Sequence, residues 1–117
     1  MTNYNYETGE KNLAKIDGGA GQHVVDSLAD IAPDVGKYII EFGFGEIYDR
    51  PGLNFRDREI VTLSSLLTQG DTDGQLKVHI RAALNVGLTQ SEIVEIFIHC
   101  IPYVGFPKVL NAISTLK

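Results

Sequence analysis

The sequence predicts an all-α fold, on the strength of three observations. No segment alternates apolar and polar residues over the length of a strand, whereas apolar residues recur at spacings of three and four. Glycine and proline interrupt these stretches at short intervals, as they do between successive helices. The 117 residues, 44% of them hydrophobic, are enough for one small core. We therefore expect a single domain, residues 1–117, built from helices.

The N-terminal part of the chain carries the weaker helical signals. Residues 1–8 are mostly polar and are expected to form a loose tail. The glycine-rich residues 18–21 should separate two short helical pieces. Pro33 suits the first turn of a helix, and we expect that helix to cover residues 34–48 and to stop at Arg50-Pro51-Gly52.

Each of the four remaining helices has a cap residue before it or a breaker after it. They are residues 55–68 after Asn54 and before Gly70, residues 74–86 between Asp73 and Gly87, a helix that begins at Ser91 after Thr89 and runs to about Cys100, and residues 108–116 after Pro107. Thr89 and Glu92 have the spacing of a capping box. Pro102 and Gly105 are expected to break the chain between the last two helices.

The helix that begins at Ser91 is apolar around most of its circumference. Its apolar residues are Ile93, Val94, Ile96, Phe97, Ile98, Cys100 and Ile101. Such a helix must be enclosed, yet a domain of this size has little interior. Residues 38–48 are similarly apolar. Enclosure by a second subunit resolves the conflict, so the sequence predicts a homo-oligomer.

Composition excludes several classes of protein. A net charge of −5 and a pI near 5.0 argue against a nucleic-acid or anionic-membrane partner. No apolar run reaches the roughly 18–20 residues that cross a bilayer, and the first ten residues lack a signal-peptide core. Cys100 is the single cysteine, so an intrachain disulfide and a Cys-x-x-Cys metal or redox pair are excluded. A cytoplasmic setting is expected.

Three ionisable residues lie where a helical pattern predicts apolar ones. His79 falls within the apolar arc of its helix, Glu59 within the stripe of the preceding helix, and Glu46 beside the apolar side of its own. The helices of Glu59 and His79 are joined by a short loop, so the two side chains could lie at comparable height on facing stripes. Buried ionisable groups are normally paired, and they suit either proton transfer or a purely structural hydrogen bond.

Three further residues are expected to have ordinary roles. His99 shares a polar face with Glu95, and an ion pair between them is the favoured interpretation. Cys100 is expected in the core, and His23 on the surface.

Four stretches of the sequence resemble the carboxymuconolactone decarboxylase family. They are FGEIYDRPGL at residues 44–53, RDRE at 56–59, HIRAALNVGLT at 79–89 and IHCIPYVGFP at 98–107. No single stretch is diagnostic, but the four occur in order within residues 33–116. The resemblance implies an alkylhydroperoxidase D-like helical fold assembled into trimers or hexamers. It also implies decarboxylation of 4-carboxymuconolactone in aromatic catabolism, without a metal or organic cofactor.

The resemblance also implies roles for particular residues. His79 would transfer the proton, and Glu46 or Glu59 would orient it or share its proton. Arg50, Arg56 or Arg58 could hold an acidic substrate, although salt bridges at helix starts are an equal alternative for them. Tyr103 is a further candidate for substrate binding.

A sister branch of the family comprises peroxidases with a Cys-x-x-Cys-x-x-x-His motif. Thr72 and Gln75 occupy the positions of the two cysteines before His79, so peroxidase chemistry by that mechanism is excluded. Two hypotheses are left: a cofactor-independent decarboxylase of a small acidic lactone, and a non-catalytic oligomer that binds small carboxylates.

Overall fold

The computed structural model describes residues 4–117, and the regular elements among these residues are all helices. They are α1 (Tyr4–Asp17), α2 (Ala20–Ser27), α3 (Pro33–Tyr38), a π-helix (Ile39–Ile47), α4 (Phe55–Gln69), α5 (Asp73–Asn85), α6 (Gln90–Val104) and α7 (Phe106–Ser114). The all-helical prediction is confirmed. The chain divides into two compact units, of which the first ends at Phe55 and the second comprises Arg56–Lys117. Among the described residues, no helix has both the length and the apolar character needed to cross a membrane.

In the first unit, α1 packs directly against the π-helix. Gly9 faces the backbone carbonyl of Ile40, and Gly45 faces that of Asn5, so a Cβ atom at either glycine would overlap main-chain atoms. This close packing explains why residues 4–8 are helical, contrary to the predicted loose tail. The first three residues of that tail lie outside the described part of the chain.

The π-helix is the second departure from the predicted pattern. A single helix was expected over residues 34–48, but α-helical bonding ends at Tyr38 and a wider helix follows. The amide of Tyr48 donates to the carbonyl of Gly43, five residues earlier, at 2.9 Å. The buried amide of Asn12 donates to the Phe44 carbonyl at 2.8 Å, which gives a carbonyl in the last turn of the helix a partner from α1.

The second unit has its own apolar core. Its buried members are Leu63, Leu67, Leu76, Ile80, Ala83, Leu88, Ile93, Phe97, Cys100, Val109 and Ala112, drawn from α4 to α7 and the turn after α5. The buried position of Cys100 agrees with the sequence prediction. These four helices form the frame in which Glu59 and His79 are placed.

Helix boundaries of the second unit differ from the prediction at the start of α5, at the end of α6 and at both ends of α7, which covers Phe106–Ser114 and not residues 108–116. Asp73 is the first residue of α5 and not its cap; Thr72 precedes the helix, without a side-chain capping bond. Pro102 lies inside α6, which continues to Val104 and ends at Gly105, where φ is 88°. Proline removes one donor, but its neighbour Ile101 still accepts from the amide of Gly105 at 3.0 Å, so the last turn is closed.

Candidate functional site

A buried glutamate of α4 meets a histidine of α5 inside the second unit. The Glu59 side chain is fully buried, whereas that of His79 retains 21% of its surface exposed. Nδ1 of His79 lies 2.8 Å from Oε1 of Glu59. The expectation that these two side chains lie at the same height is therefore confirmed. Glu59 is the glutamate that pairs with His79.

The donor and the acceptor in this hydrogen bond follow from the chemistry of the two side chains. A carboxylate without access to water requires hydrogen-bond donors, and an imidazole N–H is one. When Glu59 is ionised, Nδ1–H of His79 donates to it, and Nε2 on the opposite edge of the ring is available to another group. The partial exposure of His79 means that its ring is the part of the pair that a solute can approach. The arrangement can hold a proton and deliver it.

The turn between α4 and α5 brings the two residues together. Gly70 and Asp71 both have positive φ angles, 73° and 56°, which reverse the chain over two residues. The hydroxyl of Thr72 then donates to the carbonyl of Leu66 at 2.6 Å. Thr72 thus makes a structural bond at a position that would carry a cysteine in the peroxidase motif.

Arg56, a candidate for substrate binding, is already engaged in an ion pair. Its guanidinium lies 2.5 Å from Oε2 of Glu92 and 3.7 Å from Oδ1 of Asp57. This geometry supports the alternative considered for the arginines, a salt bridge at a helix start. The charge of Arg56 is balanced within its own unit.

Glu92 links this ion pair to the capping box of α6. Its carboxylate accepts from the amide of Thr89 at 3.0 Å, and its own amide donates to the Thr89 hydroxyl at 3.1 Å. The predicted capping box is confirmed. The backbone hydrogen bond from Thr89, followed by the charge of Arg56, lowers the pKa of Glu92 below its ordinary value.

Two candidate site residues belong to the first unit. Glu46 is exposed on the π-helix and accepts a hydrogen bond from the side-chain amide of Asn5 at 2.6 Å. Arg50 is exposed after that helix and borders a shallow pocket with Tyr48 and Leu53. The roles predicted for Glu46 and Arg50 stay predictions.

The other candidates lie in the second unit. Arg58 is partly buried in the first turn of α4, and Tyr103 is 77% exposed near the end of α6. The ring of Tyr103 lies 5.8 Å from that of His99. The predicted ion pair between His99 and Glu95 does not occur among the residues that the structure describes.

A groove between α4 and α6, here called the α4–α6 groove, was missed by the sequence reasoning. It has a volume of about 430 Å³ and is lined by Arg56, Ile60, Ser64, Leu88, Ser91, Glu92, Glu95, Ile96, His99 and Cys100. The signal was present as residues spaced by four on both helices, such as Arg56, Ile60 and Ser64. Glu59 and His79 do not line it.

Comparison with known proteins finds three relatives, of which two are named as decarboxylases. The chain is 39% identical over 83 residues to a 4-carboxymuconolactone decarboxylase of Acinetobacter baylyi, an alignment that covers 71% of this chain and 61% of the relative. It is 35% identical over 76 residues to the nitrosuccinic acid decarboxylase npaB of Metarhizium robertsii, covering 65% of this chain and 52% of that one. An uncharacterized 15.0 kDa protein of Paracoccus denitrificans is 27% identical over 89 residues, covering 75% and 66%.

The chain thus spans roughly half to two thirds of the length of these relatives. The family model for carboxymuconolactone decarboxylases matches residues 33–117, a range that includes the whole second unit with Glu59 and His79. On that match, and on the decarboxylase of Acinetobacter baylyi, the chain belongs to the carboxymuconolactone decarboxylase family.

Proposed function

We propose that this protein is a carboxy-lyase that removes CO₂ from a small acidic lactone of the 4-carboxymuconolactone type. The observation that carries the proposal is the hydrogen bond between the buried Glu59 and the partly exposed His79. Two relatives are named as decarboxylases of small acids, which supports decarboxylation as the reaction type. The substrate is proposed from the first of these relatives.

The pair suits the proton balance of this reaction. When the C–C bond to the carboxylate breaks, CO₂ departs and the bonding electron pair is left on the lactone, where the conjugated carbonyl delocalises it. A proton must then be added to carbon. In the proposed mechanism Nε2 of His79 supplies that proton, and the Glu59 carboxylate holds the ring through Nδ1 and stabilises its cationic form.

The substrate carboxylate would be bound by one of the candidate arginines or by Tyr103. Arg56 is one of these candidates, although it already forms an ion pair with Glu92. Arg50, Arg58 and Tyr103 stay proposals for this role, and each would act by charge or hydrogen bonding on the anionic end of the lactone.

We further propose that the protein acts as a homo-oligomer, a trimer or a hexamer. An apolar stripe on the first unit, formed by Ile31, Val35, Tyr38 and Phe42, is exposed in the single chain. Tyr103, Phe106 and Leu110 of the second unit are also exposed. Large exposed apolar patches are uncommon on monomers, and a second subunit would cover these residues.

Substitution of His79 tests the catalytic proposal. His79→Ala should lower the rate of CO₂ release from 4-carboxymuconolactone by about 10²–10⁴-fold, the usual contribution of a general acid or base. His23→Ala, in an exposed position of the first unit, is the matched control and should retain wild-type turnover.

Two outcomes would overturn this function. Turnover by His79→Ala within a factor of about three of wild type would exclude His79 as the proton donor, since general acid–base catalysis supplies far more. Binding of the lactone by the wild-type protein without release of CO₂ would favour the non-catalytic carboxylate-binding alternative.

A further inference from the structure

Neither Glu59 nor His79 lines the α4–α6 groove, which has the volume and the apolar lining of a ligand site. Its volume of about 430 Å³ falls in the range of small-molecule pockets, roughly 300–1,000 Å³. Its apolar walls are formed by Ile60, Leu88, Ile96 and Cys100. Side chains of both α4 and α6 contribute, and both helices are anchored in the core of the second unit. The groove therefore has apolar walls and a polar rim.

The charges along the rim do not cancel. Arg56 and Glu92 form an ion pair at 2.5 Å, so together they present no net charge. Glu95 lies on the next turn of α6, and within residues 4–117 it has no ion-pair partner. The ring of His99 packs against Tyr103. A single uncompensated carboxylate therefore borders an apolar surface.

We propose that the α4–α6 groove binds a small organic amine, with its apolar body against Ile60, Leu88 and Ile96 and its ammonium group beside Glu95. An anionic lactone, the substrate proposed for the Glu59–His79 pair, would be repelled at this rim. The groove is therefore a second site with the opposite charge preference, and its ligand does not depend on the proposed decarboxylase activity.

The hydroxyl-bearing residues of the groove fit this ligand. Ser64 donates its hydroxyl to the carbonyl of Ile60 at 2.8 Å, which leaves the hydroxyl oxygen as an acceptor toward the groove. Ser91 is exposed at the start of α6. Acceptor oxygens of Ser64 and Glu95 suit an ammonium group, which has donors and no acceptor.

Three compounds with the same apolar body and different terminal groups distinguish the effect of ligand shape on affinity from the effect of ligand charge. We would titrate the full-length protein by calorimetry with 4-phenylbutylamine, 4-phenylbutan-1-ol and 4-phenylbutyrate. The amine should bind about two- to fivefold more tightly than the alcohol, the gain expected from a partly exposed ion pair, and the carboxylate should bind most weakly. High salt should remove the preference for the amine.

Three variants locate the preference. In Glu95→Gln the affinity for the amine should fall to that for the alcohol. Glu10→Gln changes an exposed glutamate of the first unit and should leave the preference for the amine intact. Ser64→Trp, which fills the groove, should abolish binding of all three compounds. Circular dichroism verifies that each variant is folded.

The remaining outcomes overturn the proposal. Equal affinity for the three compounds, or a preference that survives in Glu95→Gln, would refute the role of the Glu95 carboxylate. Failure of all three compounds to bind, or binding that Ser64→Trp does not change, would show that the groove is not a ligand site.

Discussion

At the scale of single residues, the structure separates two kinds of charged group. Glu59 is buried and has His79 as its partner, whereas Arg56 and Glu92 form a partly exposed ion pair between α4 and α6. The first arrangement removes a carboxylate from water and leaves a histidine partly exposed, and a pair of this kind suits proton transfer. The second arrangement is a salt bridge at the start of α6, where Glu92 also forms the capping box. This contrast is the reason for the proposal that His79 transfers the proton.

The sequence indicated the first of these pairs as a possibility, with Glu46 as the alternative partner of His79, but it did not indicate the second. Glu59 and His79 interrupt the apolar stripes of two helices joined by a short turn, so their meeting could be predicted from periodicity. Arg56 and Glu92 are 36 residues apart on helices that are not consecutive. The packing of the second unit determines which face of α4 contacts α6, and local sequence patterns do not indicate it. The α4–α6 groove was missed for the same reason.

The lowered pKa of Glu92 predicts an acid-sensitive contribution to stability. A carboxyl whose pKa is lower in the folded than in the unfolded protein stabilises the fold above its unfolded pKa, and this contribution disappears as the pH falls through the folded pKa. Glu92→Gln should therefore melt at a lower temperature than wild type at neutral pH, with the difference vanishing in acid. Thermal melting across a pH series measures this.

Glu95→Gln is the control for that series because it removes the same charge from the same helix without disturbing the capping box. Its melting temperature measures the effect of removing one negative charge from α6 while the capping box is kept. A difference between wild type and Glu92→Gln that stays constant from neutral to acidic pH would contradict the assigned coupling.

At the scale of elements, the start of α6 was predicted better than its end. The capping box of Thr89 and Glu92 begins α6 as expected, because both hydrogen bonds form within four residues. Pro102 was expected to end α6, yet it lies in the last turns of that helix, where the loss of one bond is tolerated. A breaker residue therefore predicts an end only approximately.

The π-helix was the least predictable element. Its sequence has the spacing of an α-helix, and nothing local indicates the wider turn. The contacts that accompany it come from α1: Asn12 binds the carbonyl of Phe44, and the backbone of Asn5 lies against Gly45. The π-helix is thus contacted by residues of α1 that lie more than thirty positions earlier in the sequence. The local sequence of the π-helix carries no information about these contacts.

At the scale of the whole molecule, the exposed apolar surface is the main feature that a single chain leaves unexplained. Ile31 is 85% exposed, Tyr38 62% and Phe42 59%, and these residues form one stripe with Val35. The apolar helix 91–101 led to the same expectation from sequence, and Ile98 on it is indeed exposed. Both observations support the proposed homo-oligomer.

Light scattering tests the oligomer directly. The wild-type protein at micromolar concentration should have a mass several times 12.8 kDa. Phe42→Glu places a charge in the exposed stripe and should shift the mass toward that of one chain, whereas Asn111→Glu, on an exposed polar position of α7, should not. A wild-type mass of 12.8 kDa would refute the oligomer.

The central claim is that Glu59 and His79 act as one proton-transferring unit, and a double-mutant cycle in turnover tests it most directly. Release of CO₂ from 4-carboxymuconolactone would be measured for Glu59→Gln, His79→Ala and the double variant, with Glu46→Gln as the control for the other candidate glutamate. Residues that act as a unit are strongly non-additive, so the double variant should be no slower than His79→Ala alone. If Glu59→Gln lowers turnover by the same factor with and without His79, the two residues act independently and the account is contradicted.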